Sequence, residues 1–400
     1  MPSTLPARVL RRGSLPDVFT YALFACAPYR GCGHGCAYCD GRAEKYYVEG
    51  DFERDIVVRR ELPGRLRTEL AGLREWGALS LGSGVTDAYQ PCEQEHGLLR
   101  QILQVLDERA QEGLRPLPVV ILTKSARILE DLEVWSRLNA QAAVLVMVSI
   151  TSLDEQVREA FEPGASPFAK RLEVLRRFKE AGCLTGALAM PFLPGVTDDT
   201  ASMAALFRTL EALDVDFLQP GGLTLRPGRQ KAHFLSVLRA FRPELETLYL
   251  DIFREERPSG VPAWDHRKAW QERLAKVPCK VPWMLPHAGV RRLLEPQDEL
   301  AVVFWQMGEL FRARGVDTRP LKQAASSYEA WLKARRTEFR RHRTLPPGWL
   351  VQRLEEAARS RELARVLANP KLARFAEQVV LEKALLDPVT LRLQSSSLSR

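Results

Sequence analysis

The chain has 400 residues, a length that favours one large domain with a smaller appendage. Hydrophobic residues make up 46% and charged residues 27%, which is the composition of an ordinary globular protein. No apolar run reaches the roughly 18 residues that cross a bilayer, and residues 1–16 lack the apolar core of a secretory signal, so we expect a cytoplasmic protein without a membrane partner. The net charge of +8 and the pI near 9.2 favour an anionic partner such as nucleic acid, although solvated Arg-rich helices would give the same total.

Six short apolar runs, each bounded by polar, Gly or Pro positions, alternate with segments of helical period. The runs predict buried parallel strands at Tyr21–Ala25, Ala78–Leu81, Val119–Leu122, Ala143–Ile150, Leu184–Met190 and Asp216–Leu223. The segments between them predict helices at Glu61–Trp76, Glu95–Arg109, Arg127–Leu138, Pro167–Ala181 and Thr200–Leu213. This order predicts an α/β fold, either an incomplete barrel of six strand–helix units or an open doubly wound sheet. In both folds the functional residues collect at the carboxyl ends of the strands.

The pattern changes after about residue 245. Residues 246–290 are rich in Pro and Trp and predict a linker or irregular excursion, and residues 291–394 predict a helical C-terminal region with helices at Leu300–Arg314, Leu321–Arg343 and Leu350–Leu367. We expect residues 1–19 to form an N-terminal extension and residues 395–400 a disordered tail.

The segment Trp331–Arg343 is strongly basic. It holds six basic residues, among them Arg336, Arg340 and Arg341, and one acid, while Phe339 and the nearby Trp349 add aromatic rings. Such a segment is typical either of a nucleic-acid-binding face or of an ordinary solvated helix face.

Four of the seven cysteines lie within fourteen residues, which in a reducing compartment indicates metal binding. Cys32, Cys36 and Cys39 are spaced by four and three residues and are separated by glycines, so they can wrap one side of a [4Fe–4S] cluster and leave one iron open to another ligand. Two alternatives remain open: a zinc site with His34 as fourth ligand, and a four-cysteine electron carrier completed by Cys26. Cys26 ends an apolar run, which favours a buried position instead.

The spacing Cys32-x₃-Cys36-x₂-Cys39, with Tyr38 before the last cysteine, resembles the signature of the radical S-adenosylmethionine (SAM) superfamily. The resemblance implies a partial (β/α)₆ barrel over residues 20–245 and a [4Fe–4S] cluster whose open iron chelates SAM. One electron then cleaves SAM to methionine and a 5′-deoxyadenosyl radical, which abstracts a substrate hydrogen atom. The electron would come from a reductant protein such as flavodoxin or ferredoxin.

Four further segments resemble the spore photoproduct lyase branch, whose members are often labelled DNA repair photolyases: Val85–Glu93, Leu122–Ser125, Val148–Thr151 and Phe192–Asp198. The resemblance makes Cys32, Cys36 and Cys39 the cluster ligands. It also implies cofactor-binding roles for Tyr38 near the adenine, Lys124 at the SAM carboxylate, Ser149 near the ribose, and Thr86 and Asp87 after the second strand.

One position departs from that branch. Spore photoproduct lyases carry a cysteine ahead of the Ser/Thr–Asp pair that returns a hydrogen atom to the product radical, and this chain has Gly84 there. Cys92 and Tyr89 are candidate catalytic substitutes, and true spore photoproduct lyase activity is not expected. The substrate is left between a nucleic-acid base and a peptide or small metabolite, and the non-enzymatic alternative is an iron–sulfur carrier or nucleic-acid-binding protein.

Overall fold

The computed structural model describes residues 8–46 and 50–394. Within these residues the strands are β1 Arg11–Arg12, β2 Phe24–Cys26, β3 Tyr29–Arg30, β4 Val57–Val58, β5 Leu79–Leu81, β6 Val119–Thr123, β7 Val144–Ser149, β8 Leu184–Phe192, β9 Phe217–Gly222, β10 Leu385–Leu386 and β11 Leu393–Gln394. The α-helices are α1 Leu62–Ala71, α2 Glu93–His96, α3 Leu98–Gln111, α4 Leu132–Gln141, α5 Glu155–Phe161, α6 Phe168–Glu180, α7 Thr200–Ala212, α8 Arg229–Phe241, α9 Glu246–Ile252, α10 Trp264–Leu274, α11 His287–Leu293, α12 Pro296–Ala313, α13 Arg319–Arg341, α14 Trp349–Arg359, α15 Glu362–Leu367 and α16 Pro370–Leu381.

The main sheet has seven strands in the order β1-β2-β5-β6-β7-β8-β9. The last six are parallel to one another, and each contains part of one predicted apolar run; β1 joins the edge antiparallel to β2. The parallel strands follow one another in chain order without a reversal, whereas a doubly wound sheet reverses its strand order. The fold is therefore the partial (β/α)₆ barrel.

The parallel strands are buried because helices cover the outer face of the sheet, as their continuous apolar runs predicted. All six residues of β7 are buried, and β6 and β8 are nearly so. The carboxyl ends of these strands, which we call the rim, carry the cysteine loop after β2, the segment 82–93 after β5, residues 123–125 after β6 and Ser149 at the end of β7.

The C-terminal region is helical, as predicted, and α12 to α16 enclose a second hydrophobic core. Arg336 on α13 is 1% exposed and forms ion pairs with Asp298 on α12 and with Glu75, which follows α1. Phe339 is buried and stacks on Trp349. Arg336 therefore joins the C-terminal helices to the barrel, and Phe339 joins α13 to α14. Neither of these two residues of the basic segment is available to bind nucleic acid.

The prediction of an irregular linker over residues 246–290 was wrong in part, because α9, α10 and the start of α11 lie within it. The sequence of α10 is mostly polar, and the helix packs on the barrel core through Leu274 and Trp270, while its Arg273 pairs with Asp198. The predicted tail at 395–400 lies outside the described residues, and the limits of the domains remain predictions. No helix of the described ranges combines the length and apolar character needed to span a membrane.

Candidate functional site

The cysteine loop, residues 31–42, connects β3 to the segment that precedes β4 and lies at the rim. Cys32 and Cys36 are buried and Cys39 is half-buried. The backbone turns with φ of +83° at Gly31 and +63° at Gly35, a region that favours glycine, and a Cβ at Gly35 would lie 2.7 Å from Oε2 of Glu53. The glycines therefore allow the tight curvature that the sequence indicated.

Side chains of the segment after β5, and Arg42 at the end of the loop itself, hold the backbone of the loop in place. Gln90 accepts a hydrogen bond from the Gly33 amide (2.7 Å) and donates to the Gly31 carbonyl (3.3 Å), to which the Thr86 hydroxyl also donates (2.6 Å). Arg42 donates to the carbonyls of Gly35 and Cys36, both at 2.9 Å. The loop is thus fixed by groups other than its cysteines, and Thr86 positions the loop.

His34 lies between the first two cysteines and is buried. Its Nδ1 atom is 2.9 Å from the Gly164 carbonyl, and its Nε2 atom is 3.0 Å from Oδ2 of Asp87. Since a carbonyl and a carboxylate only accept, both ring nitrogens face acceptors and neither is directed towards a metal. The ring therefore serves as a tether rather than as the fourth ligand of a zinc site.

The carboxylate of Asp87 has no free oxygen for a cofactor. Besides His34, it accepts from the Thr123 hydroxyl (2.9 Å) and from the amides of Lys124 (2.7 Å) and Tyr89 (2.9 Å). Burial alone would raise the pKa of Asp87, but the charge of His34 and these hydrogen bonds outweigh it and lower the pKa below its ordinary value. In this structure Asp87 therefore positions the cysteine loop, and its contact with SAM stays a prediction.

The three thiols of the loop influence one another's ionisation. Burial raises the pKa of the Cys36 thiol to about 12 despite the nearby charge of Lys124. Burial, followed by the charges of Asp87, Cys36 and Cys39, raises the pKa of Cys32 well above its ordinary value. The amide of Gly41 donates to Sγ of Cys39 at 3.4 Å, a contact typical of iron–sulfur ligands. Bound iron would offset the cost of three neighbouring thiolates, so these residues fit a cluster. Within residues 8–46 and 50–394, no three His, Cys, Asp or Glu side chains converge in the geometry of a single-ion site.

Lys124 and Tyr38 meet beside the cysteines. The Lys124 ammonium lies 5.7 Å from the centre of the Tyr38 ring, and the Tyr38 hydroxyl donates to Oε1 of Glu162. Burial opposes the charge on Lys124, but Cys36 and Glu162 outweigh it and raise the pKa of the lysine. A half-buried cation is thereby held next to the cluster ligands, where it can pair with an anionic group of a bound molecule.

Arg171 on α6 holds Glu162 and the end of β7 in place. It is fully buried, lies 2.5 Å from Oε2 of Glu162, and donates to the Ser149 carbonyl at 3.0 Å. Ser149, at the end of β7, is therefore joined to Glu162 through Arg171.

Tyr89 is buried away from the rim surface, and its catalytic role stays a prediction. Its hydroxyl donates to Asp131 and accepts from Trp135, both at 2.9 Å, within the core that α4 forms with the sheet. Cys92 follows Pro91, which packs against the loop at Gly33: a Cβ built on Gly33 would lie 3.4 Å from Cδ of Pro91. Burial, followed by the charge of Glu93, raises the pKa of Cys92 to about 11, so its sulfur keeps a hydrogen at neutral pH.

Cys26 is the last residue of β2 and lies in the hydrophobic core, as the sequence favoured. Burial raises its pKa to about 12, and the charged groups that act on it are Arg59 and Glu69 rather than the loop cysteines. Cys26 is therefore not grouped with the other three.

Sequence reasoning missed the supporting residues Gln90, Thr123, Glu162 and Arg171 and considered His34 only as a ligand. Gln90 lies within Val85–Glu93 and Thr123 within Leu122–Ser125, both of which were singled out, so their position was a usable signal. Glu162 and Arg171 had no such signal, because a charged residue in a helix or turn is usually solvated.

The family model described as "Radical SAM superfamily" matches residues 27–207. An uncharacterized protein of Mycobacterium tuberculosis is 30% identical over 280 residues, which cover 69% of this chain and 78% of that protein. An uncharacterized protein of Methanocaldococcus jannaschii is 28% identical over 46% of this chain and 65% of its own length.

Among solved structures, a spore photoproduct lyase mutant is similar with a TM-score of 0.48 and 18% identity, covering 69% of this chain and 76% of that one. The radical SAM methyltransferase TsrM from Kitasatospora setae is similar with a TM-score of 0.39 and 16% identity over 52% of this chain and 37% of its own. The superfamily match sets aside the zinc and electron-carrier alternatives. This chain belongs to the radical SAM superfamily and is an enzyme whose cofactors are a [4Fe–4S] cluster and SAM.

Proposed function

We propose that Cys32, Cys36 and Cys39 hold the cluster and that the enzyme abstracts a hydrogen atom from its substrate. A bound cluster supplies one electron to SAM, whose C5′–S bond breaks to give methionine and a 5′-deoxyadenosyl radical that takes the hydrogen atom. The observation that carries the proposal is a trio of thiols, two buried and one half-buried, on a loop that Gln90, Arg42 and other side chains have already fixed.

The residues around the three cysteines bind different parts of SAM. Lys124 is the residue that pairs with the SAM carboxylate, because its charge is maintained beside Cys36. Tyr38, oriented by Glu162, packs near the adenine, and Ser149 lies near the ribose. Cys92 remains the candidate that returns a hydrogen atom to the product radical.

The electron donor that we propose is a small redox protein of the flavodoxin or ferredoxin type. We propose a nucleic-acid base as substrate in preference to a peptide or metabolite, because the formal charge of +8 favours a polyanion.

The test is anaerobic reconstitution with iron and sulfide, followed by reduction with dithionite in the presence of SAM. We expect a cluster spectrum that shifts when SAM is added, and formation of 5′-deoxyadenosine. Cys36→Ala should lose both, whereas Cys279→Ala, which removes a half-buried cysteine outside the loop, should keep both. A cluster that survives Cys36→Ala, or a spectrum unaffected by SAM, would contradict the proposal.

A further inference from the structure

A cavity of about 1040 Å³ lies at the edge of the barrel beside the cysteine loop. The N-terminal segment with β1, the end of β2, the last turn of α1 and the C-terminal end of α13 form its walls. It reaches the rim at Gly31, directly before Cys32, and at Thr86. We call it the arginine cavity because eight of its lining residues are arginines.

The cavity is strongly basic. Eight arginines and two glutamates among the described lining residues give it a formal charge of +6. Glu69 is bound by the amides of Val9 (2.9 Å) and Leu10 (3.1 Å), and Glu75 by Arg336 and Arg340. Both acids are thus already engaged, and the lining holds eight arginines for these two carboxylates.

The arginines come from separate parts of the chain and are crowded together. Arg8, Arg11 and Arg12 belong to the N-terminal segment, and Arg340 and Arg343 to the end of α13 and the turn after it. The Nε atom of Arg12 is buried without a hydrogen-bond partner. Burial, and then the neighbouring charge of Arg8, lower the pKa of Arg12. A bound anion would relieve this repulsion.

Arg59 and Arg30 line the side of the cavity nearest the loop. Burial, followed by the charge of Arg30, lowers the pKa of Arg59, and the hydrogen bond from Arg59 that the structure shows goes to a neutral carbonyl, that of Ala27, at 3.0 Å. Tyr46 adds a half-buried aromatic ring to the same wall. Planar guanidinium groups match the oxygens of phosphate, and an aromatic ring can stack on a base.

We propose that the arginine cavity binds the phosphate backbone of a single nucleic-acid strand and thereby presents a base of that strand to the rim. The presentation of a base to the rim rests on the proposed function. A single strand is favoured over a duplex because a base that undergoes chemistry has to leave the base stack, and a basic groove that follows the backbone is how such strands are held.

The test measures binding of fluorescein-labelled single-stranded DNA and RNA to the reconstituted full-length protein over a range of salt concentrations. Arg11→Gln combined with Arg343→Gln removes two exposed cavity arginines that do not hold Glu75. We expect affinity to fall about tenfold and the slope of log K against log salt to decrease by about 1 for each arginine. The matched control, Arg341→Gln with Arg374→Gln, removes two exposed arginines outside the cavity and should leave both values near those of the wild type.

Three outcomes would overturn the proposal: equal losses in the cavity and control variants, displacement of the oligonucleotide by equimolar ATP, and tighter binding of polyglutamate than of either oligonucleotide. The last two would make the cavity a site for free nucleotide polyphosphates or for acidic peptides. Formation of 5′-deoxyadenosine without oligonucleotide should be the same in the wild type and in both double variants. Its absence from the wild type would count against the proposed function, whereas the binding data alone decide the role of the cavity.

Discussion

The Nε2 atom of His34 lies 3.0 Å from Oδ2 of Asp87, and this contact joins the cysteine loop to the ends of β5 and β6. The same carboxylate accepts from the Lys124 amide at 2.7 Å and from the Thr123 hydroxyl at 2.9 Å. One buried group therefore sets the position of the cysteines relative to the lysine proposed to bind SAM.

Asp87→Asn should weaken both cofactor sites, because an amide has one acceptor oxygen and cannot satisfy His34, Thr123 and two amides together. Leaving a buried donor unsatisfied costs about 1–3 kcal/mol. We expect reduced iron content after reconstitution and an increased Kd for SAM, measured by equilibrium dialysis. Asp107→Asn removes another buried carboxylate, one that binds Arg137 and Gln141 on the outer helices, and should leave iron content unchanged. Wild-type iron and SAM binding in Asp87→Asn would refute the tether.

Lys124→Met should separate cluster binding from SAM binding. The methionine retains the apolar stem but lacks the charge, and a hydrogen bond to a charged group contributes about 1.5–3 kcal/mol, so the Kd for SAM should rise roughly tenfold to a hundredfold. Iron content should not change, and Lys170→Met, at an exposed position of α6, should affect neither quantity. Loss of iron together with SAM binding would show that Lys124 supports the loop instead.

Much of the barrel was predictable from the sequence because a parallel strand buried on both faces needs an uninterrupted apolar run, and β6, β7 and β8 have one. The short strands β3 and β4 and the polar helix α10 were not predictable. Two-residue strands carry no periodicity, and α10 has a mostly polar sequence in which Leu274 is the buried residue.

The cysteines of the candidate site could be identified because three thiols at this spacing are rare without a metal. The groups around them could not, since hydrogen bonds across long sequence separations leave no local pattern. The resemblance to a family assigned Asp87 and Thr86 to the cofactor site, but it could not give the groups of this protein to which they are hydrogen-bonded. Arg336 and Arg340 appeared as a solvated or nucleic-acid-binding face, although both bind Glu75 from a distance of more than 250 residues along the chain.

Arg336→Met should destabilise the whole protein, because it leaves Asp298 buried without its cation and leaves Glu75 with Arg340 alone. Burial already raises the pKa of Asp298 against the opposing charge of Arg336. Removing one partner of a buried ion pair costs about 3–5 kcal/mol, which should appear as a lower urea midpoint followed by circular dichroism. Arg335→Met affects a partly exposed pair with Glu338 and should cost at most about 1 kcal/mol. Similar midpoints for the two variants would show that the buried pair does not join the two regions.

The contacts of α11 with α12 and with β10 should make the stability of the protein depend on pH. Burial by itself raises the pKa of Glu299, but the hydrogen bonds from His287 and Arg291 outweigh it and hold the pKa below the ordinary value of 4.5. A carboxyl whose pKa is lowered by folding stabilises the fold fully above its unfolded pKa and loses that contribution as the pH falls through its folded pKa.

Glu299→Gln should therefore be less stable than the wild type at neutral pH, and its thermal midpoint should change less between neutral pH and the range below 4.5. The Nδ1 atom of His287 accepts from the Leu386 amide at 2.8 Å, so the imidazole that binds Glu299 also contacts β10. Glu133→Gln, at a position that is 91% exposed, is the matched control and should follow the wild-type profile. Parallel profiles for Glu299→Gln and the wild type would mean that this carboxyl does not couple pH to the packing of the C-terminal region.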